Sequence, residues 1–171
     1  MTAWMRAFHA QSPSGSFAIW DTSNPAHALG MSPMDSPSVF NFYPPDFTPA
    51  GSPLAASGLV APELKITSAS SVVGYANYIR QIATSQGAAG DPDVFAPYPK
   101  ELAVAADPAA LANRLNQLLA YGSLSSTSLS LIEDAVNAVP LPAGNTSAAL
   151  QQRVWIGVTL ALCAPEFIVQ K

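Results

Sequence analysis

Prolines at positions 33, 37, 44, 45, 49 and 53 deny one stretch of this chain both a long helix and a central strand. Each one lacks a backbone N–H and fixes φ, so it stops helices and breaks strand ladders. The first 62 residues hold nine of the sixteen prolines and eight of the fifteen aromatic residues, but only four charged ones, Arg6, Asp21, Asp35 and Asp46. Disordered segments are usually poor in aromatics. The pattern therefore predicts ordered loop, an extended segment whose Phe40, Phe42, Tyr43 and Phe47 need something to pack on.

A length of 171 residues suits one domain, and 49% apolar residues are ample for a core. Charged residues make up 11%, less than half of the roughly 25% usual in soluble domains. Much of the surface must then be uncharged, or must face another protein segment. The net charge is −4, and Arg6 is the only Lys or Arg before Lys65. No basic stripe exists to neutralise phosphates, which excludes an ordinary nucleic-acid-binding face. The single cysteine, Cys163, rules out an intrachain disulfide and a CxxC site, and its apolar neighbours predict a buried small hydrophobe. Residues 1–10 lack the basic start and continuous apolar core of a secretory signal. The apolar run Val154 to Ala164 is about half the roughly 20 residues needed to span a bilayer, so a buried helix is expected and no membrane span.

From Thr67 onward the periodicity becomes helical. Val72, Tyr75, Ala76, Ile79, Ile82 and Ala83 recur at three- and four-residue steps. Ser68 can cap this helix and Gly87 can end it. A turn-rich link follows, with Asp91-Pro92-Asp93 and Pro97-Tyr98-Pro99. The next helix is signalled by Asp107 as N-cap, Pro108 in the first turn, an apolar face of Leu111, Leu115, Leu118 and Leu119, and Gly122 at the end. Leu129, Ile132, Val136 and Val139 mark a third stripe that Pro140 terminates, and the two helices should form an αα-hairpin. The last helix begins near Asn145 or Thr146 and is apolar on nearly every side up to Ala164, as befits a central element. Pro165 ends or kinks it. Residues 2–10 read as the close of an opening helix.

Four segments in order carry a resemblance. They are Ala28-Leu29-Gly30 followed by Ser36 to Tyr43; Ala55 to Glu63; Ser70 to Ile79, containing Gly74-Tyr75-Ala76-Asn77-Tyr78; and Arg153 to Gln170. Together they resemble the C-terminal part of the bacterial family catalogued as domain of unknown function 1800. The resemblance implies a mostly helical fold, a longer parent chain and export to the periplasm or beyond. It implies no substrate, cofactor or catalytic residue. On that expectation the partner of this chain is the N-terminal part of its parent, or a second copy of itself.

Chemistry has few residues to draw on. A serine hydrolase needs a base, and the only histidines are His9 and His27. Asp21 and Asp35 are the nearest acids in sequence, and Ser12, Ser14, Ser36 and Ser38 are candidate nucleophiles. A hydrolase of ester or lactone substrates would thus use His27 or His9 with Asp21 and Ser36, but the Gly-x-Ser-x-Gly elbow is absent. A turn or capping role explains His27 equally well. Asp91 and Asp93 place two carboxylates close together, a pattern usable for Ca²⁺, although the rest of an EF-hand loop is missing. A solvated turn is the plainer reading. Paired acids can be drawn from Glu63, Glu101, Glu133, Asp134 and Glu166, and Glu166 is expected to pair with Arg153 or Arg80. Phe40, Phe42, Tyr43, Phe47 and Trp20 can line a ligand groove or pack as core.

The sequence thus predicts an all-α domain over 1–171, with a Pro- and aromatic-rich segment, 1–66, wrapped over a body of about four main helices, 67–171. Its expected role is a structural or interaction module of a larger exported protein; the alternative is the small hydrolase.

Overall fold

A computed structural model describes residues 1–36, 38–87, 92–144 and 146–168. The described residues form eight α-helices: α1 (Thr2–Ala7), α2 (Pro53–Ala56), α3 (Ala69–Ala83), α4 (Pro99–Leu102), α5 (Pro108–Ala120), α6 (Ser126–Asn137), α7 (Ser147–Cys163) and α8 (Pro165–Ile168). A 3-10 turn covers Pro62–Ile66. The fold is all-α among the described residues, with one isolated antiparallel bridge between Gln11 and Phe95. The four long helices stand where the periodicity placed them.

Their ends follow from local chemistry. Asp107 caps α5 by accepting from the N–H groups of Ala109 at 3.0 Å and Ala110 at 3.1 Å, with Pro108 in the first turn. Ser125 does the same for α6 through Ser128 N–H, and Ser68 for α3 through Ser71 N–H. α3 stops at Ala83, earlier than Gly87 suggested. Thr84 turns its hydroxyl back to the Arg80 carbonyl, and Ser85 donates to the Val94 carbonyl at 2.7 Å. Gly87 serves instead a left-handed turn, φ +65°, pressed against the Phe95 ring.

The chain forms two compact units, Met1–Ile19 with Ile79–Lys171, and Trp20–Tyr78. This grouping differs from the expected 1–66 and 67–171. Residues 1–19 belong with the helical body because α1 packs on α5 and Gln11 pairs with Phe95.

In the helical unit α5, α6 and α7 pack mutually, with α4 and α8 against α7. Leu111, Leu115, Ile132, Val136, Val154, Val158 and Leu162 are fully buried between them. Gly157 lets α7 come close: a Cβ there would lie 2.8 Å from Leu115 Cδ1. A second cluster surrounds Tyr98, which takes a left-handed φ of 51° as the N-cap of α4. The Trp4 indole N–H donates to its hydroxyl at 2.8 Å, the hydroxyl donates to the Ala83 carbonyl at 3.2 Å, and the Phe8 ring meets it edge-on at 4.9 Å. Burial raises the Tyr98 pKa.

The helix α7 is not buried all round, contrary to the expectation from its composition. Val154, Gly157, Val158, Ala161 and Leu162 face the core, whereas Trp155 and Ile156 are half-buried and Leu160 is exposed. Its buried Arg153 donates to the carbonyls of Val139 at 2.8 and 3.0 Å, Ala106 at 3.0 Å and Ala105 at 3.2 Å. It thereby ties α7 to the C-terminal end of α6 and to the turn before α5.

The Trp20–Tyr78 unit is held differently. Only Ala28, Ala61 and Tyr78 of its described apolar residues are buried. Backbone bonds organise it: Ala28 N–H to the Asn24 carbonyl at 2.8 Å, Met31 to Thr22 at 3.2 Å, and Ala61 to Phe47 at 2.8 Å. Buried Ser71 links α3 to the preceding turn through the Ile66 carbonyl at 2.6 Å. Gly74 lets α3 approach the 24–27 turn, since a Cβ there would fall on the Pro25 carbonyl oxygen and 3.0 Å from Ala26 C and His27 N.

Candidate functional site

The histidines are both exposed. His9 follows α1 in a left-handed conformation, φ 50°. His27 closes the Asn24 turn, where Asn24 accepts from Ala26 N–H through Oδ1 at 2.9 Å and from His27 N–H through its carbonyl at 3.3 Å. The turn reading of His27 matches those bonds, with Asn24 as the residue that caps the turn. Asp21 is spent on its own loop: Ser23 N–H reaches Oδ1 at 2.9 Å and the Ser23 hydroxyl reaches Oδ2 at 3.0 Å. These bonds lower the Asp21 pKa. Ser36 is exposed. The described hydrogen bonds join none of His27, Asp21 and Ser36 to one another, nor His9 to a serine or a carboxylate.

Asp91 lies outside the described residues, and Asp93 is not in a solvated turn. The Asp93 side chain is buried, 2% exposed. Its Oδ2 accepts from the Ser12 hydroxyl at 2.7 Å, the Ser14 hydroxyl at 2.6 Å and the Ser14 N–H at 2.9 Å, while its own N–H donates to the Ala18 carbonyl at 3.2 Å. The other oxygen, Oδ1, is buried without a partner. Hydrogen bonds from Ser14 and then Ser12 hold the carboxyl down at about 2, because each one favours the ionised form. The 12–18 loop is thus clipped to the link before α4. No group of three or more His, Cys, Asp or Glu side chains among the described residues is placed to hold a metal ion.

Glu166 does not pair with Arg153 or Arg80. It accepts from Ser125 N–H at 3.1 Å and from the Ser128 hydroxyl at 3.0 Å, so α8 is anchored to the first turn of α6. A carboxylate at a helix N-terminus meets unpaired N–H groups and the positive end of the dipole, and its pKa falls to about 2, hydrogen bonding to Ser125 being the leading cause. Arg153 prefers carbonyls because the C-terminal end of α6 is the complementary negative pole. Glu101, another of the acids, is buried in an ion pair with Arg114 at 2.7 Å. These outcomes were hidden in the sequence because caps and helix poles compete with side-chain cations, and the winner depends on tertiary distances.

The aromatic set does not make a core. Phe40 is 58% exposed, Tyr43 is 37% exposed and meets Phe42 edge-on at 6.5 Å, and the Lys65 ammonium lies 5.1 Å from the centre of the Phe47 ring. Trp20 instead packs edge-on against Tyr78 at 6.5 Å. Burial, and secondarily the Asp21 carboxylate, push the Tyr78 hydroxyl up to about 12. Cys163 is half-buried, and burial raises its thiol pKa.

One groove was not anticipated. It has a volume of about 370 Å³ and runs along the open side of α7, with Gln152, Trp155, Ile156, Thr159 and Leu160 as its floor. Ala135 of α6, Arg80 of α3 and Thr84 just beyond it form its sides. The indole N–H of Trp155 is buried beside it without an acceptor. The sequence signal for it was present: an all-apolar helix adjoining two amphipathic ones leaves one side over.

The sequence model of the family described as "Protein of unknown function (DUF1800)" matches residues 1–169. The chain belongs to that family. Neither a curated protein nor a solved structure matches it. For this DUF1800 chain the residues themselves must therefore carry any functional reading. Among the described residues, no helix is long and apolar enough to cross a membrane.

Proposed function

We propose that this DUF1800 chain is a structural and interaction module of a larger exported bacterial protein, in which its apolar faces pack against further polypeptide. One observation carries the reading: the Trp20–Tyr78 unit leaves its large apolar side chains outside. Met34, Val39, Phe40, Leu59, Val60, Val72 and Val73 are all more than half exposed, while only Ala28, Ala61 and Tyr78 are buried. Scattered apolar surface is normal, but a unit that exposes more large apolar side chains than it buries needs a covering partner. The low share of charge, 11%, favours such a role, since little desolvation opposes association.

Light scattering on the isolated chain tests this. The expected result is concentration-dependent association, weakened when Phe40, Val72 and Val73 are changed to Ser. A monomer at every concentration that also fails to bind a hydrophobic dye would refute it.

A further inference from the structure

The four methionines of this chain do not share one environment. Met1, Met5 and Met31 are half-buried. Met34 is 104% exposed, so its thioether stands wholly in solvent. It takes a left-handed φ of 63° in a turn that the Asp35 N–H closes on the Ser32 carbonyl at 3.4 Å. Three residues earlier, the Met31 sulfur accepts the Tyr43 hydroxyl at 3.1 Å. The Met31 N–H is held as well, by the Thr22 carbonyl at 3.2 Å. One loop therefore carries a free thioether and a tied one. A thioether reacts through a sulfur lone pair, and its oxidation replaces a flexible apolar side chain by a polar one.

We propose that Met34 is a methionine-oxidation site for hydroperoxides, and that Tyr43 shields Met31 from the same reaction. The Met34 sulfur attacks the outer peroxide oxygen, the O–O bond breaks, and the proton on the transferred oxygen passes to the departing one. The products are methionine sulfoxide and water, or an alcohol where the oxidant is an organic hydroperoxide. Sulfur loses two electrons and the peroxide gains them. Met31 must first give up its bond to Tyr43, and the surrounding protein narrows the approach to it. A sulfoxide at Met34 would set a polar group among the apolar side chains that the Trp20–Tyr78 unit exposes, and so weaken association through them. That consequence rests on the interaction-module reading, whereas the site itself does not.

Limiting hydrogen peroxide, followed by fragment-ion mass spectrometry that separates Met31 from Met34 within one peptide, tests it on the whole chain. Met34 should be oxidised first, at least about fivefold faster than Met31, the factor that one ordinary hydrogen bond imposes. Tyr43→Phe should speed Met31 by about that factor and leave Met34 unchanged. In denaturing urea the two rates should converge. Tyr43 is part-exposed, so the substitution spares the fold. Equal rates in the folded chain, a Met31 rate indifferent to Tyr43→Phe, or a difference that persists in urea would each overturn the proposal. Light scattering separates the two readings: peroxide should weaken association of the wild type but not of Met34→Leu, whereas a chain that never associates refutes the interaction module without touching the oxidation rates.

Discussion

Replacing Arg153 by Met should unfasten α7 from its neighbours. The guanidinium is 5% exposed and supplies both donors to the Val139 carbonyl, at 2.8 and 3.0 Å, and one nitrogen shared between the Ala105 and Ala106 carbonyls. Ala106 is exposed and can turn to water, but Val139 and Ala105 are buried. A buried carbonyl stripped of its donor costs about 1–3 kcal/mol. Two of them cost about 2–6 kcal/mol, and the methionine offsets part of this by no longer burying a cation. The expected net loss is about 3 kcal/mol. That is a large part of the roughly 5–15 kcal/mol that holds a domain together. In urea, with a slope of about 2 kcal/mol per molar, the midpoint should fall by about 1.5 M. Far-UV circular dichroism is the assay, since the long helices dominate its signal. Arg153→Lys keeps the charge but offers one nitrogen to two separated carbonyls, so it should recover about half of the loss. A midpoint within about 0.5 M of wild type for Arg153→Met would refute the reasoning, because the carbonyls would then have found other partners.

Two further perturbations follow from the same contacts. Asp93 and Glu166 are each held down at about 2, from ordinary values of 3.8 and 4.5. A carboxyl with a depressed folded-state pKa stabilises above its unfolded value and loses that contribution as pH falls through the folded one. Thermal midpoints should therefore drop between pH 4.5 and about 2, and less steeply in Asp93→Asn and Glu166→Gln; equal slopes in all three proteins would contradict this. Gly74→Ala gains about 1 kcal/mol of helix propensity, but its methyl would fall on the Pro25 carbonyl, and backbone cannot step aside as a side-chain tip can. A net loss of about 1–2 kcal/mol is expected, seen as faster amide exchange at Ala28 and Met31; unchanged or slower exchange would argue against the close approach.

The sequence by itself determined the helical layout. Apolar residues at helical spacing, Asp107 and Ser68 as caps, and Pro108 and Pro140 as start and stop act within a few residues of one another, so α3, α5, α6 and α7 needed nothing distant to be legible. Family membership was legible for a similar reason, in short segments such as Gly74 to Tyr78 whose order survives without any knowledge of contacts. Partner choice was not. Glu166 bonds to the start of α6 rather than to an arginine, Arg153 bonds to carbonyls rather than to an acid, and Asp93 is clipped by serines some 80 residues away in the chain. Each is a competition among several adequate donors or acceptors, decided by which one the packed helices bring within 3 Å or so. The groove has the same origin. Composition made α7 apolar all round, but which side stayed open depended on where α5 and α6 came to rest, and only the tertiary structure holds that information.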